Sequence, residues 1–204
     1  MEIVTQCNLA KIVSELIFGK TIVFPTETSY GLGCDATNQT AVNKIYLIKG
    51  RPDNKPLLIV VPNIEMAKKI LAWNKIIDRL AEKYWPGALT IVGEATKTES
   101  WATNLARGVI SEDNTVAVRV TADPLLKSIT EKLGRPLVAT SANYSAEGDN
   151  YRADEVIENF KDKDARPDII LNNGELPKNL PSTIVRVYSD RFVVVRQGEI
   201  KISI

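Results

Sequence analysis

The chain has 204 residues, and its 26 lysines and arginines stand against 25 aspartates and glutamates, so a net charge of +1 leaves any grip on phosphate to local clustering. It contains no histidine, which excludes Ser-His-Asp and Cys-His catalysis, HExxH zinc chemistry and imidazole acid-base work together. Its two cysteines, Cys7 and Cys34, lack metal-like spacing and exclude a disulfide framework, which fits a reducing cytoplasm, and no segment approaches the ~20 apolar residues of a membrane span.

A single domain over 1–204 is expected from this length. Asn8 is placed to cap a helix in which Leu9, Ile12, Val13, Leu16 and Ile17 share one face, closed by Gly19. A short buried strand over 21–24 follows, ending at Pro25. Gly19-Lys20-Thr21 resembles the end of a phosphate-binding P-loop, but the first glycine of that motif would fall on Ser14, and helix precedes strand here.

The segment PTETSYGLGCDA, over 25–36, is dense in hydroxyls and glycines beside a strand end, a composition suited to ligand binding. Gly31-x-Gly33-x-x-Ala36, with Asp53 further on, matches a loose dinucleotide pattern. A second strand over 30–35, with glycines where backbones approach closely, is the preferred reading. A helix over 40–49 turns Ala41, Ile45 and Ile48 inward and Lys44 outward. It delivers Lys49 to KGRPDNKPLLIVV, over 49–61, where Lys49, Arg51 and Lys55 precede an apolar strand over 57–61 that is expected to be covered on both faces. Cations concentrated beside a buried strand put charge at a fixed spot.

Helices are expected over 64–71 and Lys75–Tyr84, then a turn at Trp85-Pro86-Gly87 entering a strand, with Trp85 a core aromatic. The polar stretch 100–113 reads as an ordered loop. TVAVRV, Thr115–Val120, alternates so that Thr115, Ala117 and Arg119 share one side and the valines the other. An arginine there needs an anionic partner, either a salt bridge or a ligand. A helix over Pro124–Leu133, closed by Gly134, precedes a strand over 137–139 that runs into Thr140-Ser141-Ala142-Asn143, and ligands of open α/β sheets sit beyond such strand ends. A helix over Ala153–Phe160, a strand over Ile169–Leu171 and a hairpin of 182–188 with 192–197 complete the pattern.

Seven motifs in order, PTETSYGLGCDA, KGRPDNKPLLIVV, WPGALT, VAVRV, ATSANYS, PSTIVRV and VVRQGEI, resemble the YrdC family of threonylcarbamoyl-AMP synthases over nearly the whole chain. The resemblance implies an α/β fold, a YrdC-like twisted mixed β-sheet flanked by helices with a concave basic cavity. It implies a nucleotidyltransferase reaction in which L-threonine, bicarbonate and ATP give threonylcarbamoyl-AMP and pyrophosphate for tRNA modification, with Mg2+ brought by ATP.

Carried over by this resemblance, Lys49 and Arg51 are the catalytic cations, and Lys49, Arg51, Lys55, Thr115, Ser141, Asn143 and Arg196 bind ATP. Thr28, Arg119 and Ser182 bind L-threonine, Arg119 matching the carboxylate with its guanidinium fork. Downstream threonylcarbamoyl transferase proteins, and contact with tRNA or double-stranded RNA, are implied as partners. The chain departs from relatives at Val60, where several carry histidine, at Ala146, where glycine is usual, and at Thr121-Ala122-Asp123-Pro124. Two other readings stay open: the carbamoyl-adenylate module of hydrogenase maturation, and a non-catalytic protein holding double-stranded RNA or tRNA.

Overall fold

The computed structural model describes residues 1–52, 55–97, 104–145 and 147–203. Asp53, Ala146 and the 100–103 part of the expected loop lie outside the described residues. β1 (Glu2–Val4) leads to α1 (Leu9–Ile17), where the Asn8 side chain accepts the Lys11 N–H at 3.1 Å and caps the first turn. β2 (Ile22–Phe24) turns back antiparallel as β3 (Gly31–Gly33), and α2 (Gln39–Lys49) follows, capped by Asn38 and stopped by left-handed Gly50 at φ 54°. β4 (Ile59–Val61), α3 (Ile64–Lys68) and α4 (Lys75–Tyr84) come next, the helices opened by the Asn63 and Asn74 side chains.

β5 (Leu89–Glu94), β6 (Thr115–Val120) and α5 (Pro124–Leu133) precede a strand in two parts, β7 (Leu137–Val138) and β8 (Thr140–Ser141). Then follow α6 (Ala153–Phe160), β9 (Ile169–Leu171) and the hairpin of β10 (Thr183–Val187) with β11 (Phe192–Arg196). Trp85 is buried, and its indole N–H donates to the Leu89 carbonyl at 2.7 Å. Among the described residues no helix is long and apolar enough to cross a membrane.

The strands form two mixed sheets, a five-stranded one ordered β1-β9-β2-β3-β8 and a six-stranded one ordered β11-β10-β5-β6-β4-β7. The mixed α/β class flanked by helices expected from the sequence holds, with the strands divided between two sheets. The chain changes partner at Ala139: Leu137 and Val138 pair with β4, whereas Thr140 and Ser141 pair with β3. Gly33 makes the junction tight, since a Cβ there would stand 2.0 Å from the Val138 carbonyl oxygen. The expected strand over 57–61 is shorter because Leu57 donates its N–H to Gly108 and leaves the ladder. β1, not foreseen, is an edge strand made by pairing with β9. The dinucleotide reading of Gly31 and Gly33 fails, because these glycines sit in a strand antiparallel to β2 and do not open a helix.

Alternation sorts the central strands between two apolar clusters. Ile22 and Phe24 of β2, Val60 of β4, and Ile169 and Leu171 of β9 pack with α1 and α5, while Val23, Ile59, Val61 and Ile170 enter the larger core with α2, α4 and α6. Strands covered on both faces must be apolar at every position, and these are. In β6, Val116, Val118 and Val120 join the larger core, so Thr115, Ala117 and Arg119 emerge on the other face.

Candidate active site

That face of the six-stranded sheet forms the floor of a cavity of about 410 Å³. Thr90 and Val92 of β5, Thr115, Ala117 and Arg119 of β6, and Ile184 of β10 supply the floor. The β2–β3 turn, with Thr26, Thr28 and Ser29, forms one wall; Ala139, Thr140 and Ser141, at the sheet junction, form another. Arg51 with residues 56–58, Asp149, and Pro181, Ser182, Val195 and Arg196 close the rest. The lining therefore carries three guanidiniums, one carboxylate and a crowd of hydroxyls.

Of the residues singled out in the sequence, Thr28, Arg51, Thr115, Arg119, Ser141, Ser182 and Arg196 converge on this cavity, and Lys49, Lys55 and Asn143 do not line it. Lys55 is exposed. Lys49, 2% exposed, points beneath the wall, where its ammonium donates to the carbonyl oxygens of Ser141 at 2.6 Å and Asn143 at 2.9 Å, and to Asn143 Oδ1 at 3.0 Å. Three donors meet three acceptors, so a phosphate role for Lys49 requires one of these bonds to open. Burial, then the charge of Arg51, brings its pKa down to about 8.

Asn143 is equally committed. Its Nδ2 donates to the Glu147 and Gly148 carbonyls, and its Oδ1 accepts from Lys49 and from the Ser141 hydroxyl at 2.6 Å. The pair thus shapes the loop that presents Ser141. Arg51 lines the cavity while its Nε and Nη2 hold the carbonyls of Lys55 and Pro56, at 3.0 and 3.1 Å. Arg196 grips Ser182 through its carbonyl at 2.8 Å and its hydroxyl at 3.2 Å, and the Ser182 hydroxyl meets that of Thr90 at 3.0 Å. Burial lowers the Arg196 pKa from its high ordinary value, with Arg119 adding to the effect.

Arg119, 5% exposed, stands 3.0 Å from Glu27 as an ion pair without hydrogen-bond alignment: among the described residues its Nε and both Glu27 oxygens have no hydrogen-bond partner. Val60, the departure from the family pattern, lies in register beside Arg119 across β4 and β6, buried under α1 and α5 and outside the cavity lining. Sequence reading passed over Glu27 and Asp149. Glu27 was flanked by the hydroxyls of PTET, a usable signal; Asp149, in a polar loop, had none.

Fold and site together define an α/β protein with two mixed sheets and a cavity lined by arginines and hydroxyls. A family model for Sua5/YciO/YrdC, described as "Telomere recombination", matches residues 15–198, and the chain belongs to this family. It is 39% identical over 146 residues to a threonylcarbamoyl-AMP synthase of Pseudoalteromonas translucida, covering 70% of this chain and 74% of that protein. It is 35% identical over 184 residues to the threonylcarbamoyl-AMP synthase of Pyrococcus abyssi, covering 88% of this chain and 51% of that one. The crystal structure of P. abyssi Sua5 complexed with L-threonine matches with a TM-score of 0.82 and 31% identity, over 97% of this chain and 57% of that chain. The chain spans about half the length of this archaeal relative.

Proposed function

We propose that this chain is a threonylcarbamoyl-AMP synthase acting on L-threonine, bicarbonate and ATP. The observation that carries the reading is the convergence of Arg51, Arg119 and Arg196, from three separate parts of the chain, on one hydroxyl-lined cavity of a size usual for small-molecule sites. Its relatives' names supply the reaction. Bicarbonate gives up hydroxide to yield CO2, the threonine amine adds to the CO2 and its released proton joins the hydroxide as water, and a carbamate oxygen attacks the α-phosphorus of ATP as pyrophosphate leaves. No side-chain nucleophile is needed, so the protein's part is positioning and charge stabilisation.

Arg51 and Arg196 are assigned to the phosphates, with Thr115 and Ser141, while Thr28, Arg119 and Ser182 hold the amino acid. Lys49 and Asn143 are assigned to shaping the phosphate wall, and Lys55 to the outer rim. Among the described residues no cluster of three metal-ligating side chains occurs. Asp149 in the lining suits a Mg2+ held chiefly by phosphate oxygens, which would neutralise their charge. The product would serve a threonylcarbamoyl transferase acting on tRNA in the cytoplasm. Pyrophosphate release from ATP should require both L-threonine and bicarbonate; release independent of threonine refutes the reading, and no release with steeply salt-dependent RNA binding moves it to an RNA-holding protein.

A further inference from the structure

Among the described residues, four buried side-chain polar atoms lack a hydrogen-bond partner, and three of them, Glu27 Oε1, Glu27 Oε2 and Arg119 Nε, belong to one ion pair, in which Arg119 lines the cavity and Glu27, not itself a lining residue, stands between the lining residues Thr26 and Thr28. Buried groups left this way in a native fold call for a reason, and a missing ligand is one. The backbone around Glu27 is fixed. Thr26 Oγ1 accepts the Thr28 and Ser29 N–H groups and donates to the Ser29 carbonyl, and Asn179 Nδ2 donates to the Glu27 carbonyl at 2.8 Å. Only the Glu27 side chain is left to move.

We infer that Glu27 and Arg119 are the two halves of a receptor for the zwitterionic end of an α-amino acid, Glu27 taking the α-ammonium and Arg119 the α-carboxylate. This rests on the reading of the cavity as an amino-acid site. In the structure the two halves stand 3.0 Å apart and both Glu27 oxygens are buried. The zwitterion parts them and replaces one misaligned pair by two charge-assisted ones, with no change in net buried charge. A second acid favours the ammonium. Asp123, which caps α5, has its pKa raised by burial first, with the charge of Glu27 adding to the rise. Thr26 and Thr28, on either side of Glu27, already line the cavity.

The test is calorimetric titration of the full chain and of Glu27→Gln with L-threonine and with the analogue in which a hydroxyl replaces the amine. Wild type should bind threonine at least about tenfold tighter than the analogue, and Glu27→Gln should lose at least about tenfold for threonine and little for the analogue. Equal binding of the two ligands by wild type overturns the inference whether or not the variant folds. So does a variant that binds threonine like wild type, or one that loses both ligands equally, which would make Glu27 a mere prop for Arg119. A wild type that binds no threonine overturns the functional reading along with it.

Discussion

The Lys49 ammonium lies 2.9 Å from the Asn143 carbonyl and 3.0 Å from its side-chain oxygen, and with the Ser141 carbonyl at 2.6 Å it spends every donor it has on the far wall of the cavity. The last residue of α2 therefore holds the loop after β8. Gly50 lets the chain leave the helix there, and a Cβ on it would strike the Tyr144 hydroxyl at 2.1 Å, so the loop and the helix end are fitted to one another. Ser145 closes the joint by donating its N–H to the Lys49 carbonyl at 2.8 Å.

Lys49→Met should leave three oxygens short of a donor inside the fold. A stability loss of about 2–4 kcal/mol is expected, read by urea unfolding, together with a loss of turnover as Ser141 drifts. Lys49→Arg should not rescue it, because a planar fork does not reproduce a three-way ammonium. A Met variant with wild-type stability would show that the three bonds are not made in solution.

The same lysine gives opposite signs in activity and stability as pH rises. With its pKa lowered to about 8 against about 10.4 in the unfolded chain, the unfolded state binds more protons between those values, so this group's contribution to stability increases across that window. The neutral amine, however, has two donors for three acceptors, and the loop loosens. Pyrophosphate release should fall as pH passes about 8 while the melting temperature holds or rises, apart from other titrations. A parallel fall of both would contradict this.

Arg196→Lys should not be conservative. Nε and Nη2 of Arg196 reach the Ser182 carbonyl together, and Nη2 also reaches its hydroxyl, a fork that one ammonium does not match. A rise in the KM for ATP of about tenfold is expected with the fold intact, as steady-state kinetics and a melting curve would show.

Gly33→Ala should separate the sheets at their junction, where the new methyl would meet the Val138 carbonyl at 2.0 Å and the Phe24 ring at 2.9 Å. A loss of at least about 3 kcal/mol or insoluble protein is expected. Gly148→Ala has no atom of the described residues within 4 Å of the added carbon and should stay within about 0.5 kcal/mol. Equal melting temperatures for the two variants would refute the tight junction.

The first helix was readable because the Asn8 cap meets a 3.6-residue apolar period, and the helix over Pro124–Leu133 because Gly134 closes it; such signals are local. Period-two alternation in TVAVRV separated Thr115 and Arg119 from the valines correctly. β1 was not readable, because three residues at an exposed edge carry no period and owe their conformation to β9. The split into two sheets was hidden for a similar reason: the strand read over 137–139 runs straight on into Thr140 and Ser141, and only the partners divide this stretch at Ala139.

Sequence by itself determined the helices and apolar strands that hold the cavity, since alternation and capping are properties of neighbouring residues, while the arginines and hydroxyls expected to line it came from the resemblance of its motifs to a family. Tertiary structure decided where the charges point. Lys49 was expected to reach the nucleotide, yet it is turned inward because its helix ends against the loop after β8, where three oxygens accept from it. Glu27 and Arg119 meet only because the β2–β3 turn folds over β6, and no local pattern records which distant charge a side chain will find.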